Sequence, residues 1–302
     1  MKPMPTEPGI LAFLEKCDSF YPPDAVDAPI AQQRIWYNAL CAQFSPALPE
    51  GLVTLDGEVA SVPVRLYRPA KVRTAVRLVY IHGGGFVVGS LESHDAICAE
   101  ISDHVGAELT AIDYRLAPEH VWPAQHEDCQ AVLDALIADG DRLVLIGDSA
   151  GANLVAGLTI RARDEGRTEQ ILGQALIYPG LGGDLITGSY VEMSEAPGLS
   201  TADVRYYREV LKAPADDVVA FPLLSDNFAG LPRTYVTAAH FDPLRDDARL
   251  YAARLVEDGV NVWFREEPQM VHAWLRARHM SKGAEDGFDA LCLAVSRLAG
   301  TV

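Results

Sequence analysis

The chain has 302 residues, 49% of them apolar, and a formal charge of −17 from 42 acidic against 25 basic side chains. That length and apolar content suffice for one large core carrying an appendage. The acidic balance excludes a nucleic-acid partner, whose phosphates need clustered Lys and Arg to displace counterions, and leaves small uncharged substrates open.

The amino terminus, MKPMPTEPGILAFLE, lacks a basic segment followed by a long apolar run, and no stretch reaches transmembrane length. Five cysteines, Cys17, Cys41, Cys98, Cys129 and Cys292, are an odd number without CxxC spacing, so neither a disulfide framework nor a zinc site is indicated. A cytoplasmic protein with no membrane partner is expected. Residues 1–50 form the first unit. Ile10, Leu11, Phe13 and Leu14, then Ile35, Trp36, Ala39 and Leu40, recur at helical spacing, while Pro22, Pro23, Pro29, Pro46 and Pro49 break the segment. Short helices lying over another body are predicted.

Over 51–302 the pattern becomes apolar runs of strand length: Val59 to Leu66, Ala75 to Ile81, Leu109 to Ile112, Leu143 to Ile146, Ile171 to Ile177, Tyr235 to Ala238 and Val260 to Phe264. Helix-length segments separate most of them. This is the signature of a mainly parallel sheet covered on both faces, an α/β fold, with an antiparallel opening pair. Residues 181–224 interrupt the rhythm with Gly-rich, acidic sequence and one helical stretch, Thr201 to Leu211. This insertion either forms, together with the amino-terminal helices, a lid over the carboxyl ends of the strands, where open α/β sheets carry their sites, or is a surface excursion.

Gly147-Asp148-Ser149-Ala150-Gly151 lies between a strand and a helix. In a GxSxG elbow the sharp turn holds the serine in a strained conformation, with its hydroxyl exposed and the following helix aimed at it. Ser149 is the candidate nucleophile, and the Ala150 N–H a candidate oxyanion donor. His82-Gly83-Gly84-Gly85 leaves another strand directly, so amides of Gly83, Gly84 and Gly85 can turn toward the same oxygen. No GxxxxGK[ST] or GxGxxG spacing supports a phosphate loop instead.

The serine needs a base. His272 follows the last predicted strand across a short loop containing Pro268. His240, at another strand end, competes with it, while His94, His104, His120 and His126 fall in or near helical segments. For the orienting acid, Asp242 follows the strand Tyr235 to Ala238; Asp246 and Asp247 are read as caps of the next helix. The order Ser149, Asp242, His272 is that of α/β-hydrolases and differs from chymotrypsin and subtilisin.

The blocks HGGGFVVGSLESHD from His82, DYRLAPEHVWPA from Asp113, GDSAGANL from Gly147, DPLRDDA from Asp242 and MVHAW around His272 resemble the hormone-sensitive-lipase-like bacterial esterases over most of the chain. The resemblance implies an α/β-hydrolase fold: an eight-stranded, mainly parallel sheet flanked by helices, with a mostly helical cap. It also implies no cofactor or metal, cleavage of short acyl esters, and possible homodimers. Carried over by position, it assigns Ser149, Asp242 and His272 as the triad and Gly83, Gly84, Gly85 and Ala150 as the oxyanion hole. His82 orients the loop, and Tyr114, Arg115 and Glu119 form a structural network behind the site. Two positions depart from the family pattern. Ala152 stands for the usual glycine after GDSAG, and Gln269 to Trp274 replaces GMIHGF, which places Trp274 near the pocket wall.

Short- to medium-chain carboxylic esters are therefore the expected substrates. An amidase, lactonase or carbamate hydrolase would use the same triad on another leaving group. A non-catalytic ligand receptor of this fold would have lost the histidine, and His272 is present. Phe13, Trp36 and Tyr206 are candidates for the acyl pocket, with ordinary packing as their alternative role.

Overall fold

In the computed structural model, which describes residues 4–20, 22 and 25–302, the sheet opens with a hairpin. Strands β1 (Val53–Val59) and β2 (Val62–Arg68) pair antiparallel across Ala60 and Ser61, whose φ values of 51° and 65° make the tight turn. The run Val59 to Leu66, expected as one strand, thus spans a turn, because two residues with positive φ reverse the chain where the apolar pattern continues.

The alternation that follows is strand and helix: β3 (Arg77–Ile81), α3 (Asp95–Val105), β4 (Leu109–Ile112), α4 (Ala124–Ala138), β5 (Leu143–Asp148), α5 (Ala150–Asp164) and β6 (Ile171–Ile177). Then come β7 (Thr234–Phe241), β8 (Val262–Val271) and, as the last two helices of the chain, Arg245–Glu257 between them and Lys282–Ala299 after them. The sheet order is β1-β2-β4-β3-β5-β6-β7-β8, with β2 antiparallel to β4 and every later pairing parallel. The chain steps from β3 to β4 on one side and to β5 on the other, so the topological switch lies at the carboxyl ends of β3 and β5.

Within the strands, alternate side chains enter the two helical layers. Leu78, Tyr80, Val144 and Ile146 join the core shared with α3 and the last helix, while Val79, Ile81, Leu143 and Leu145 join the core shared with α4 and α5. β8 is longer than expected. It runs through Pro268 to Val271, and this edge strand admits the proline at the irregularity between the Ala239–Glu267 and Phe241–Val271 pairs, where Pro268 has no partner in the ladder.

The amino-terminal helices are α1 (Pro8–Asp18), with Pro8 at its first turn, and α2 (Ile30–Ala42). Ile10, Phe13 and Leu14 of α1 are buried as the spacing predicts, and Pro23, one of the expected breakers, lies outside the described residues. α2 departs from the prediction. Ile35 is 61% exposed, whereas Gln33, Leu40 and Cys41 are buried, because the face turned inward carries a glutamine that bonds the carbonyls of Val26 and Ala28. Residues 181–224 contain no strand, only α6 (Gly188–Glu192), α7 (Thr201–Leu211) and a 3-10 turn at Pro222–Leu224. α7 starts at a capping box, Ser200 with Asp203.

Helix α5 must approach β3 closely for β5 to end in a sharp turn. A Cβ on Gly151 would lie 1.9 Å from the Ile81 carbonyl oxygen, a backbone atom that cannot move aside. Gly151→Ala is therefore expected to lower the unfolding free energy by about 3 kcal/mol, at the upper end of overpacking costs. Urea denaturation of both proteins checks this, and an unchanged midpoint would contradict so tight a contact.

Candidate active site

Ser149 sits between β5 and α5 with φ 53° and ψ −117°, a conformation that side-chain-bearing residues rarely hold. Its N–H donates to the Ile177 carbonyl at 2.9 Å, its carbonyl accepts from the Asn153 N–H at 3.1 Å, and Gly147 and Gly151 flank it where a Cβ would collide with backbone. The strain is over-determined by these contacts. Its hydroxyl lines a cavity of about 170 Å³.

His272 follows the last residue of β8, and Asp242 the last residue of β7. The Ser149 hydroxyl lies 2.9 Å from His272 Nε2, and His272 Nδ1 lies 2.7 Å from Asp242 Oδ2. Asp242 is fully buried and its Oδ1 accepts from the Leu244 N–H at 2.8 Å, which fixes the carboxylate. A ring that donates from Nδ1 to a carboxylate leaves Nε2 free to accept the serine proton. His240 takes no part: its Nδ1 pairs with Glu266 at 2.8 Å, away from the cavity.

Asp246 and Asp247 do not cap the helix that they open. Asp246 accepts from the Ser189 N–H at 2.8 Å, and Asp247 accepts from the Leu181 and Gly183 amides and the Tyr190 hydroxyl. The helix presents its first turn to the Leu181, Gly183 and Ser189 amides of the 181–224 insertion. The carboxylates serve those amides instead, which ties the insertion to the strand end that carries Asp242.

The glycine loop leaves β3 beside Ser149. Gly84, Gly85 and Ala150 line the cavity. Gly83 does not: its N–H donates to Asp148 Oδ1 at 2.9 Å, so its amide is engaged beneath the loop rather than above it. Asp148 also accepts from the Tyr80 hydroxyl at 2.9 Å and faces His94 Nε2 at 3.3 Å. Burial pushes its carboxyl up, but His94, Arg276 and Tyr80 outweigh burial and hold it well below the usual carboxylate range.

His82 Nδ1 lies 2.9 Å from the Gly83 carbonyl, and its ring stacks on Tyr114 at 4.3 Å. The Tyr114 hydroxyl donates to the His82 carbonyl at 2.8 Å. Of the other residues expected behind the site, Arg115 pairs with Asp128 and Glu119 with Arg34 of α2, so only Tyr114 reaches the loop.

Phe13, Trp36 and Tyr206 do not line the cavity; their neighbours Tyr37 and Tyr207 do, with Leu40, Leu199, Val204 and Phe221. Trp274 is also absent from the wall. It is fully buried against Tyr178, at 6.1 Å between ring centroids, while Ala273 lines the cavity at φ 62°. Asp148, Tyr37 and Arg276 escaped the sequence reading. A helical face through Gln33, Tyr37 and Leu40 of α2 was the signal for the second of them, masked by the polar residue at its start.

Two buried imidazoles and two desolvated carboxyls set the acid response. Burial pushes His82 and His126 down from 6.5 to about 4, helped in His82 by the nearby His94. Below about pH 6.5 the unfolded chain binds both protons and the fold does not. Asp247 and Asp113 oppose this: burial pushes each up from 3.8 to about 6, so the fold binds their protons first. Two protons against two leave stability nearly level between about pH 6 and about pH 4.5, and below about pH 4 the depressed Asp148 carboxyl makes it fall, by on the order of 1.4 kcal/mol per pH unit. Urea titrations are expected to show that level stretch and the fall below about pH 4, and a steep loss already between about pH 6 and about pH 4.5 would contradict the balance.

Residues 78–276 match a sequence family described as alpha/beta hydrolase fold. Carboxylesterase NlhH of Mycobacterium tuberculosis is 36% identical over 247 residues, covering 75% of each chain. Carboxylic ester hydrolase LipN of the same organism is 33% identical over 291 residues, 90% of this chain and 77% of that one. Among solved structures, that of DphMB1 superposes with a TM-score of 0.87 at 32% identity over the whole of both chains. No helix among the described residues is long and apolar enough to cross a membrane. The chain belongs to the hormone-sensitive-lipase-like esterases, carboxylic ester hydrolases of the α/β-hydrolase fold.

Proposed function

We propose that this chain is a serine carboxylesterase acting on short- to medium-chain esters through Ser149, His272 and Asp242. The observation that carries the reading is the relay from the Ser149 hydroxyl through His272 to Asp242, at 2.9 and 2.7 Å, opening onto one cavity. His272 takes the serine proton as the hydroxyl attacks the ester carbonyl, and the carbonyl oxygen becomes an oxyanion. The amides of Gly84, Gly85 and Ala150 receive that charge, with Gly83 left out because Asp148 holds its N–H. His272 then protonates the departing alcohol. Water, deprotonated by the same imidazole, cleaves the acyl-enzyme, and Asp242 stabilises the imidazolium formed in each half.

The cavity volume of about 170 Å³ supports a short acyl chain. Tyr37 and Leu40 of α2 face it together with Leu199, Val204 and Tyr207 of the insertion, which supports a cap built from 1–50 and 181–224. The Gln33 side chain, 3.2 Å from the Tyr206 hydroxyl, links the two parts. Five unpaired cysteines support a reducing, cytoplasmic setting.

Hydrolysis of p-nitrophenyl esters from acetate to laurate tests this. The wild type is expected to prefer the short chains, and Ser149→Ala to lose at least 10³-fold in kcat, with Asp242→Asn falling by about 10⁴-fold. Activity retained in Ser149→Ala would overturn the assignment, and activity on amides or lactones alone would move the chain to those leaving groups.

A further inference from the structure

Arg276 stands in the 3-10 turn Trp274–Ala277, four residues after His272, and lines the cavity. It is 8% exposed, and its Nε has no hydrogen-bond partner. One terminal nitrogen donates to the Tyr37 hydroxyl, and the guanidinium lies over the Tyr37 ring at 4.9 Å. Among the described residues no carboxylate lies within ion-pairing distance of it. An arginine stays charged at any ordinary pH, and buried charges are as a rule paired.

The groups around this guanidinium do not supply the pairing charge. Burial pushes the Tyr37 and Tyr178 phenols and the Cys41 thiol up, and the Cys17 thiol to about 12, so all four are neutral. Asp148 acts on Arg276 at longer range, but its oxygens already serve Tyr80, Gly83 and Tyr178 and face His94. The other arginine of the cavity, Arg208, is anchored differently. It donates to the Gly183 carbonyl at 3.0 Å and the Tyr190 hydroxyl at 3.2 Å, and Tyr190 in turn donates to Asp247 at 3.0 Å.

We propose that the preferred ester carries a carboxylate of its own, which enters the cavity and pairs with Arg276. Half-esters of short dicarboxylic acids present it on the acyl side, and esters of carboxylate-bearing alcohols on the leaving-group side. The guanidinium fork matches a carboxylate in both cases. The proposal rests on the carboxylesterase reading of the site and names its substrate class.

Two matched pairs test it, followed by proton release: monoethyl glutarate against ethyl 5-methylhexanoate, and 3-acetoxybenzoate against 3-acetoxybenzamide. In one pair the wild type is expected to favour the charged member at least tenfold in kcat/KM. Arg276→Met is expected to cut that ratio at least tenfold, with Arg276→Lys intermediate. The pair that responds identifies the half of the ester that carries the anion. No preference for the charged member in both pairs, or a ratio unchanged in Arg276→Met, would overturn the proposal. If Arg276→Met does not fold, the wild-type ratio and Arg276→Lys decide.

Calorimetry of monomethyl glutarate on Ser149→Ala separates the two readings if no ester is cleaved. Binding that weakens at least tenfold with Arg276→Lys added would uphold the anion site while the esterase reading falls, and no binding would overturn both.

Discussion

Everything at this site depends on how closely helix α5 lies on the end of strand β3. Gly151 has no room for a Cβ against the Ile81 carbonyl, and that contact forces the turn in which Ser149 is held at positive φ. The same approach sets the glycine loop leaving β3 beside the serine leaving β5. A single backbone contact thus brings the hydroxyl and the loop amides to one cavity, at the switch point of the sheet.

Beneath that contact lies Asp148, which joins the loop to the body of the fold. Its carboxylate receives the Gly83 amide and the Tyr80 hydroxyl and faces His94, so the loop is held from below while Gly84 and Gly85 border the cavity. Asp247 does the corresponding work on the opposite side, where it gathers the Leu181 and Gly183 amides and anchors the insertion beside Asp242. Two buried carboxylates therefore brace the two sides of the site. An acidic protein of charge −17 nevertheless turns Arg276 and Arg208 toward its cavity, a local reversal of sign that net charge does not reveal.

Much of this was legible in the sequence. Ser149, Asp242 and His272 each follow the end of a strand, and the apolar runs locate those strands because parallel strands are buried on both faces. The limits of β4, β6 and α7 agree with the reading residue for residue. Apolar pattern failed where backbone conformation decides: at Ala60 and Ser61, which split one run into a hairpin, and at Pro268, which an edge strand admits. It failed again on α2, whose buried face carries Gln33 while Ile35 is exposed. The engagement of Gly83, the partners of Asp246 and Asp247, and the absence of Trp274 from the cavity wall depend on contacts between segments distant in the chain, and no local spacing encodes these.

The assignment of Ser149 as nucleophile requires that its hydroxyl be activated by the imidazole that it touches. Peptide mass spectrometry after treatment with an alkyl fluorophosphonate tests this most directly, because the reagent is captured covalently by an activated serine. One phosphonyl adduct per chain is expected, on Ser149, formed at least a hundredfold more slowly in His272→Ala. An adduct on another residue, or labelling of Ser149 at the same rate without His272, would contradict it.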